Sequence, residues 1–188
     1  MQSLLSVLNI TDDWLLWVIL AVLMLFVVLV GPKASASGVE LKDGAGYKRP
    51  MLALELNAGA APGMFKTWDE STRSQLRTAL LWDYLFIFIY PAAIATACFI
   101  AARFLDNHRI IAFKYSLIII GLQLVAAVFD ATENFALLKV LSGPIESPWP
   151  QLARVCAITK FGLVIVGSAY ALVIGGGAWL ITLISRKP

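Results

Sequence analysis

Apolar residues in this chain come in four long runs, about 14–31, 79–102, 110–138 and 155–185. Each is long enough to cross a hydrocarbon core of roughly 30 Å as a helix. Residues 1–13 read as a short amphipathic lead-in, with Thr11 placed to cap the helix entered at Trp14, and Trp14 and Trp17 suit an interfacial anchor. Gly31-Pro32 is expected to stop the first helix. A small, polar, glycine-rich linker follows over 33–49, and Met51–Leu56 predicts a short surface helix ended by the segment from Asn57 to Gly63. Thr67 with Glu70 forms a capping-box pattern, so the second helix is expected to begin well before the membrane. The prediction is an all-α polytopic membrane protein. Four transmembrane helices would form one bundle over 1–188, with short interfacial helices in the loop 32–78.

Composition narrows the class. With 60% hydrophobic residues, 14% charged and a mean hydropathy of +0.80, the chain is too apolar for an ordinary soluble domain. The lipid bilayer is its expected partner. Its net charge of +3 is spread over loops with no basic tail, so nucleic acid is not expected. Lys33, Lys42, Lys48, Arg49, Lys66, Arg73 and Arg77 follow the first span, and Lys139, Arg154 and Lys160 lie around the third connection, giving ten on one side. Arg103, Arg109, Lys114, Arg186 and Lys187 make five on the other. The positive-inside rule then predicts both termini outside and the first loop in the cytoplasm.

Small residues from Lys33 to Ser37 resemble a signal-peptide cleavage site, but Asp12 and Asp13 stand where a basic region would, so the first run is expected to remain a span. Cys98 and Cys156 form no CxxC pair and read as packing residues. No cofactor is implied.

The best clue to chemistry is a set of residues that hydrocarbon should reject: Asp83 on the second span, and Asp130, Glu133 and Asn134 on the third. The last three stand at i, i+3 and i+4, on one helix face, and Gln123 lies seven residues earlier on the same stripe. Asp83 shares a face with Phe86, Ile87 and Tyr90. Asp83 follows Arg77 by six residues and Glu133 precedes Lys139 by six, which puts both about 9 Å inside the charged boundary on the same side. Lys160, six residues after Arg154, reaches that depth and is the natural counter-ion. A site of Asp83, Asp130, Glu133, Asn134, Lys160 and Tyr90 is expected.

Each ionised, unpaired carboxylate at mid-bilayer would cost about 2.5–3.5 kcal/mol on insertion scales. Three acids against one lysine therefore cannot all be charged cheaply, and the cluster is expected to share protons as a coupled unit. Such a cluster suits a proton, a cation or an amine-bearing lipid or solute, and its oxygen ligands favour hard ions over zinc, copper or haem iron. Elsewhere, Pro91 is expected to disturb the second helix beside Tyr90. Gly167, Ala171 and Gly175 form a small-residue stripe on the fourth, for close packing within the chain or against a second subunit. His108, the one histidine, reads as a solvated loop residue.

The order Leu54-Glu55, Trp68, Trp82-Asp83-Tyr84, Tyr90 and Asp130-Ala-Thr-Glu133-Asn134 resembles a type of small bacterial four-helix membrane protein with a DxxEN signature and no settled function. The likeness covers about residues 51–140. It implies that Glu55 belongs with Asp83, Glu133 and Asn134, and that the setting is a bacterial inner membrane; it brings no activity. Three readings follow. The first is a cation-, proton- or amine-binding protein, such as a small transporter, with Asp83 and Glu133 as primary ligands, Asp130 and Asn134 orienting them, and Lys160 competing for the empty site. The second is an accessory subunit of a larger membrane complex whose acids hold the bundle together. The third is a membrane enzyme using a carboxylate pair for proton transfer on a lipid.

Overall fold

The computed structural model describes residues 13–36, 55, 68–111, 113–142 and 148–185. Among them the regular structure is entirely helical: α1 (Asp13–Ala34), α2 (Glu70–Asn107), α3 (Phe113–Ser142), α4 (Trp149–Ala169), a π-helical segment (Tyr170–Gly175) and α5 (Gly176–Ser185). The last three continue one another as a single rod. Four helices are thus long and apolar enough to cross a membrane, as in an integral membrane protein.

Two expected boundaries move. α1 does not stop at Gly31-Pro32 but runs on to Ala34. Pro32 forfeits a single backbone bond in the final turn, where the loss is small, and the helix closes through Ser35 N donating to the Gly31 carbonyl at 2.9 Å. Ala36, at φ 51°, then turns the chain away. For α2 the N-cap is Asp69, whose carboxylate accepts from Thr72 N at 2.7 Å, so Glu70 is the first helical residue and not the third of a capping box on Thr67. Aspartate caps at least as well as threonine, and the nearer of the two holds the end. Thr11, Thr67, the linker over 37–49 and the surface helix other than Glu55 lie outside the described residues; Glu55 itself is helical.

α2 is the central element, touching α1, α3 and the rod that begins with α4, and it runs unbroken through Pro91. At about 1.5 Å per residue its 38 residues span about 57 Å, so it projects well beyond the bilayer. A tight turn joins α2 to α3. Arg109, at φ 56°, donates to the Asp106 carbonyl at 2.9 Å, and the Asp106 carboxylate accepts from Phe113 N at 3.0 Å. His108 is exposed there and stacks on Phe104. The two helices are therefore antiparallel.

Large apolar side chains on every span point outward, among them Leu25, Phe88, Leu124, Val128, Ile165 and Leu172. In water such a surface would aggregate; facing acyl chains it is already solvated. The interior divides into two apolar clusters. One, toward the first loop, includes Trp68, Leu76, Leu80, Leu137, Leu141 and Ala153. The other, toward the α2–α3 turn, is built on Cys98, Ala101, Leu105 and Tyr170. The polar residues singled out from the sequence lie between these two.

The glycine stripe serves the chain's own packing. A methyl group on Gly167 would overlap the Gln123 amide of α3 and Ile94 of α2, and one on Gly175 would overlap Ala101 of α2. Gly167 also offers its carbonyl to the Cys98 thiol at 3.2 Å, and both cysteines are buried and free.

Candidate functional site

Periodicity alone brings Asp130, Glu133 and Asn134 to the buried face of α3, and all three are essentially inaccessible. α4 supplies Lys160 opposite them. Its ammonium lies 2.7 Å from Asp130 Oδ1 and 2.8 Å from Glu133 Oε2, bridging the two acids. From α2, Asp83 accepts a hydrogen bond from Asn134 Nδ2 at 2.7 Å. Three helices thus meet in one polar layer. Asp83 and Glu133 do not pair directly: Asn134 answers the first and Lys160 the second.

Glu55 comes from the first loop, outside the spans, and is buried against the same layer. It interacts electrostatically with Lys160 and Asp130, and is felt at Asp83 and Glu133. Burial raises the Glu55 carboxyl above its ordinary range; the Lys160 ammonium opposes that rise and Asp130 adds to it. Tyr90 faces Asp130 from α2, stacked on Phe86 at 5.3 Å. All seven residues expected at the site are therefore in one neighbourhood.

The layer holds unspent hydrogen-bonding capacity. Glu133 Oε2 is met by the Lys160 ammonium at 2.8 Å and the Tyr90 hydroxyl faces Asp130, whereas Glu133 Oε1 and Asn134 Oδ1 find no hydrogen-bond partner among the described residues. An unmet buried polar atom costs about 1–3 kcal/mol. Among the described residues Glu55, Asp83, Asp130 and Glu133 share one buried ammonium, Lys160, so with these groups alone the layer would carry three surplus negative charges if every acid were ionised. The donors are spread across three helices and a loop, and among the described residues no set of three or more acids, histidines or cysteines is close enough to hold a metal ion.

Two contacts extend the polar stripe of α3 beyond what the sequence suggested. Gln123 Nε2 donates to the Leu163 carbonyl of α4 at 3.2 Å, and the Tyr170 hydroxyl donates to Ser116 Oγ at 2.6 Å. Ser116, Gln123 and Asp130 are spaced by seven, so the repeat that exposed Gln123 carries one step further to Ser116. Outside the layer, Arg77 joins α2 to the end of α3 by donating to the Leu141 carbonyl at 2.8 Å, and it pairs with Glu70 at 3.1 Å. No protein family, curated protein or solved structure matches the chain.

Proposed function

We propose that this chain is a four-helix bundle of a bacterial inner membrane that binds a small cation, a proton or a protonated amine, in its buried acidic layer, and works as a small transporter. The observation that supports this is the Lys160 ammonium held between Asp130 and Glu133 while the carboxyl groups of Glu55 and Asp83 approach the same layer from two further segments. A side-chain ammonium here marks the position an incoming ammonium or proton would take. In this reading Glu133, with its unpartnered Oε1, and Asp83 are the primary ligands. Asp130 retains Lys160 when the ligand displaces it from Glu133, and Asn134 orients Asp83. Interfacial helices of the first loop would lie on the cytoplasmic side, with both termini outside, as the distribution of Lys and Arg favours.

The supporting contacts also favour a second reading. Lys160 ties α4 to α3, and Asn134 ties α3 to α2, which is what structural glue in an accessory subunit would do. Calorimetric titration of the purified protein with ethylammonium, sodium and potassium chlorides separates the two. Cation binding expects saturable heat with ethylammonium that is lost in Glu133→Gln, together with movement of protons into liposomes reported by an enclosed pH dye. Glue expects no heat with any of the three salts, no proton movement, and a Glu133→Gln protein changed only in stability.

A further inference from the structure

At the end of α2 away from the acids, a cleft of about 640 Å³ opens between the start of α1, the last turns of α2 and the rod where its π-helical segment passes into α5. Asp83 and Arg103 are 20 residues apart on α2, so the cleft mouth stands about 30 Å from the acidic layer, at the opposite membrane surface.

Its walls are apolar, with Leu20, Ile100, Phe104 and Leu172 prominent, and Trp17 and Trp179 flank it. The volume exists because small residues meet there. Ala97 and Ala101 of α2 face Ala171, Gly175 and Gly176, and the π-helical segment changes the side-chain register just where these residues are presented. Gly176 differs from Gly175 in one respect: a Cβ built on it meets nothing within 4 Å. Packing does not demand that glycine. Its absent side chain leaves space in the cleft.

The rim is polar and bears both signs of charge. Arg103 Nη2 pairs with Asp13 Oδ1 at 3.2 Å, with Asn107 beside them. Arg103 is largely covered, whereas Asp13 is 72% exposed. An apolar slot that opens at the level of headgroups, flanked by tryptophans, fits acyl chain below and phosphate above. The neighbouring carboxylate selects among headgroups, because a phosphate on Arg103 places a headgroup ammonium next to Asp13, whereas an anionic or neutral headgroup meets repulsion or an unanswered charge.

We propose that this cleft binds one phospholipid with a phosphoethanolamine head, an acyl chain lying over Gly176, the phosphate on Arg103 and the ammonium on Asp13. The site is independent of the acidic layer. Native mass spectrometry tests it on the full chain in mild detergent, after delipidation and exposure to an equimolar mixture of dioleoyl phosphatidylethanolamine and dioleoyl phosphatidylglycerol. Wild-type protein is expected to retain one ethanolamine lipid. Gly176→Leu should weaken retention about tenfold, a change of about 1.4 kcal/mol in binding, with its unfolding temperature unchanged. Asp13→Asn, at an exposed position, should keep the fold and abolish the preference for ethanolamine over glycerol. Glu133→Gln should leave lipid retention as in wild type while losing ethylammonium binding, which keeps the two proposals separate. Equal retention of the two lipids by wild-type protein, no retained lipid, or a Gly176→Leu protein that holds lipid as well as wild type would each overturn the proposal.

Discussion

The Lys160 ammonium stands 2.7 Å from Asp130 Oδ1 in a polar layer buried between two apolar clusters, and its side chain is only 8% exposed. A pair in that setting is held by geometry more than by net gain, since removing both charges from water costs nearly what their attraction returns. Removing one partner alone is a different matter.

Lys160→Met is therefore expected to destabilise the protein by about 3–5 kcal/mol, because Asp130 and Glu133 are left buried and uncompensated. Adding Asp130→Asn and Glu133→Gln to that variant should recover most of the loss. Thermal unfolding in detergent measures both, and equal stability of the single and triple variants would show that the ammonium is not holding these acids.

Asn134→Leu removes the donor to Asp83 and should cost less, about 0.6 kcal/mol and no more than about 1.7, the range of single hydrogen bonds between membrane helices. Asp83 is only partly buried, so water or headgroups can replace the lost donor. The same unfolding assay, run as a double-mutant cycle with Asp83→Asn, isolates the coupling. A coupling as large as the loss in Lys160→Met would place Asp83 deeper in the electrostatic network than its single contact suggests.

How far the sequence reveals this arrangement depends on the range of the interactions. Apolar runs fix the spans because backbone groups in hydrocarbon must bond within their own helix, and the i, i+3, i+4 spacing of Asp130, Glu133 and Asn134 fixes their common face. Depth counting from Arg77, Lys139 and Arg154 then brings Asp83 and Lys160 level with them. Other features have no such local signal. Nothing in the periodicity of the first loop returns Glu55 to the layer; only the resemblance grouped it there. The pairing of Tyr170 with Ser116 relies on a π-helical segment whose changed register is not written in hydropathy. Thr67 and Asp69 are both competent caps, and the modest preference for aspartate is outweighed in a sequence reading by the capping-box spacing from Thr67 to Glu70. The glycine stripe was legible as a close-packing surface, but its partners, Gln123, Ile94 and Ala101, depend on how the helices rotate against one another.

That rotation makes the glycines of α3 and the rod sharply unequal. Gly167→Ala and Gly175→Ala should each destabilise by about 1–3 kcal/mol, since the added methyl overlaps Gln123 and Ile94 in one case and Ala101 in the other. Gly121→Ala and Gly162→Ala meet nothing within 4 Å and should be neutral or slightly stabilising, by up to about 1 kcal/mol, through helix propensity. Unfolding temperatures of the four variants, compared in one detergent, check the ranking. If alanine at position 167 proved as benign as at 121, the close approach of α4 to α3 would be wrong.

Glu55 gives the fold a pH dependence of definite sign. Burial raises its carboxyl above the ordinary 4.5, so between that value and the raised one the folded chain binds a proton that the unfolded chain has released. Its contribution to stability is therefore largest below pH 4.5 and declines as pH rises through the folded-state value, opposite to a salt-bridged carboxylate with a lowered pKa. Glu55→Gln keeps the shape and a hydrogen-bonding head but cannot ionise. Relative to wild type, the variant is expected to gain stability as pH is raised above 4.5 and to show no advantage below it. Unfolding midpoints of the two proteins, recorded from pH 4 upward in the same detergent, supply the comparison. Were Lys160 to hold Glu55 as a firm ion pair, the opposite slope would appear, with the variant losing ground as pH rises.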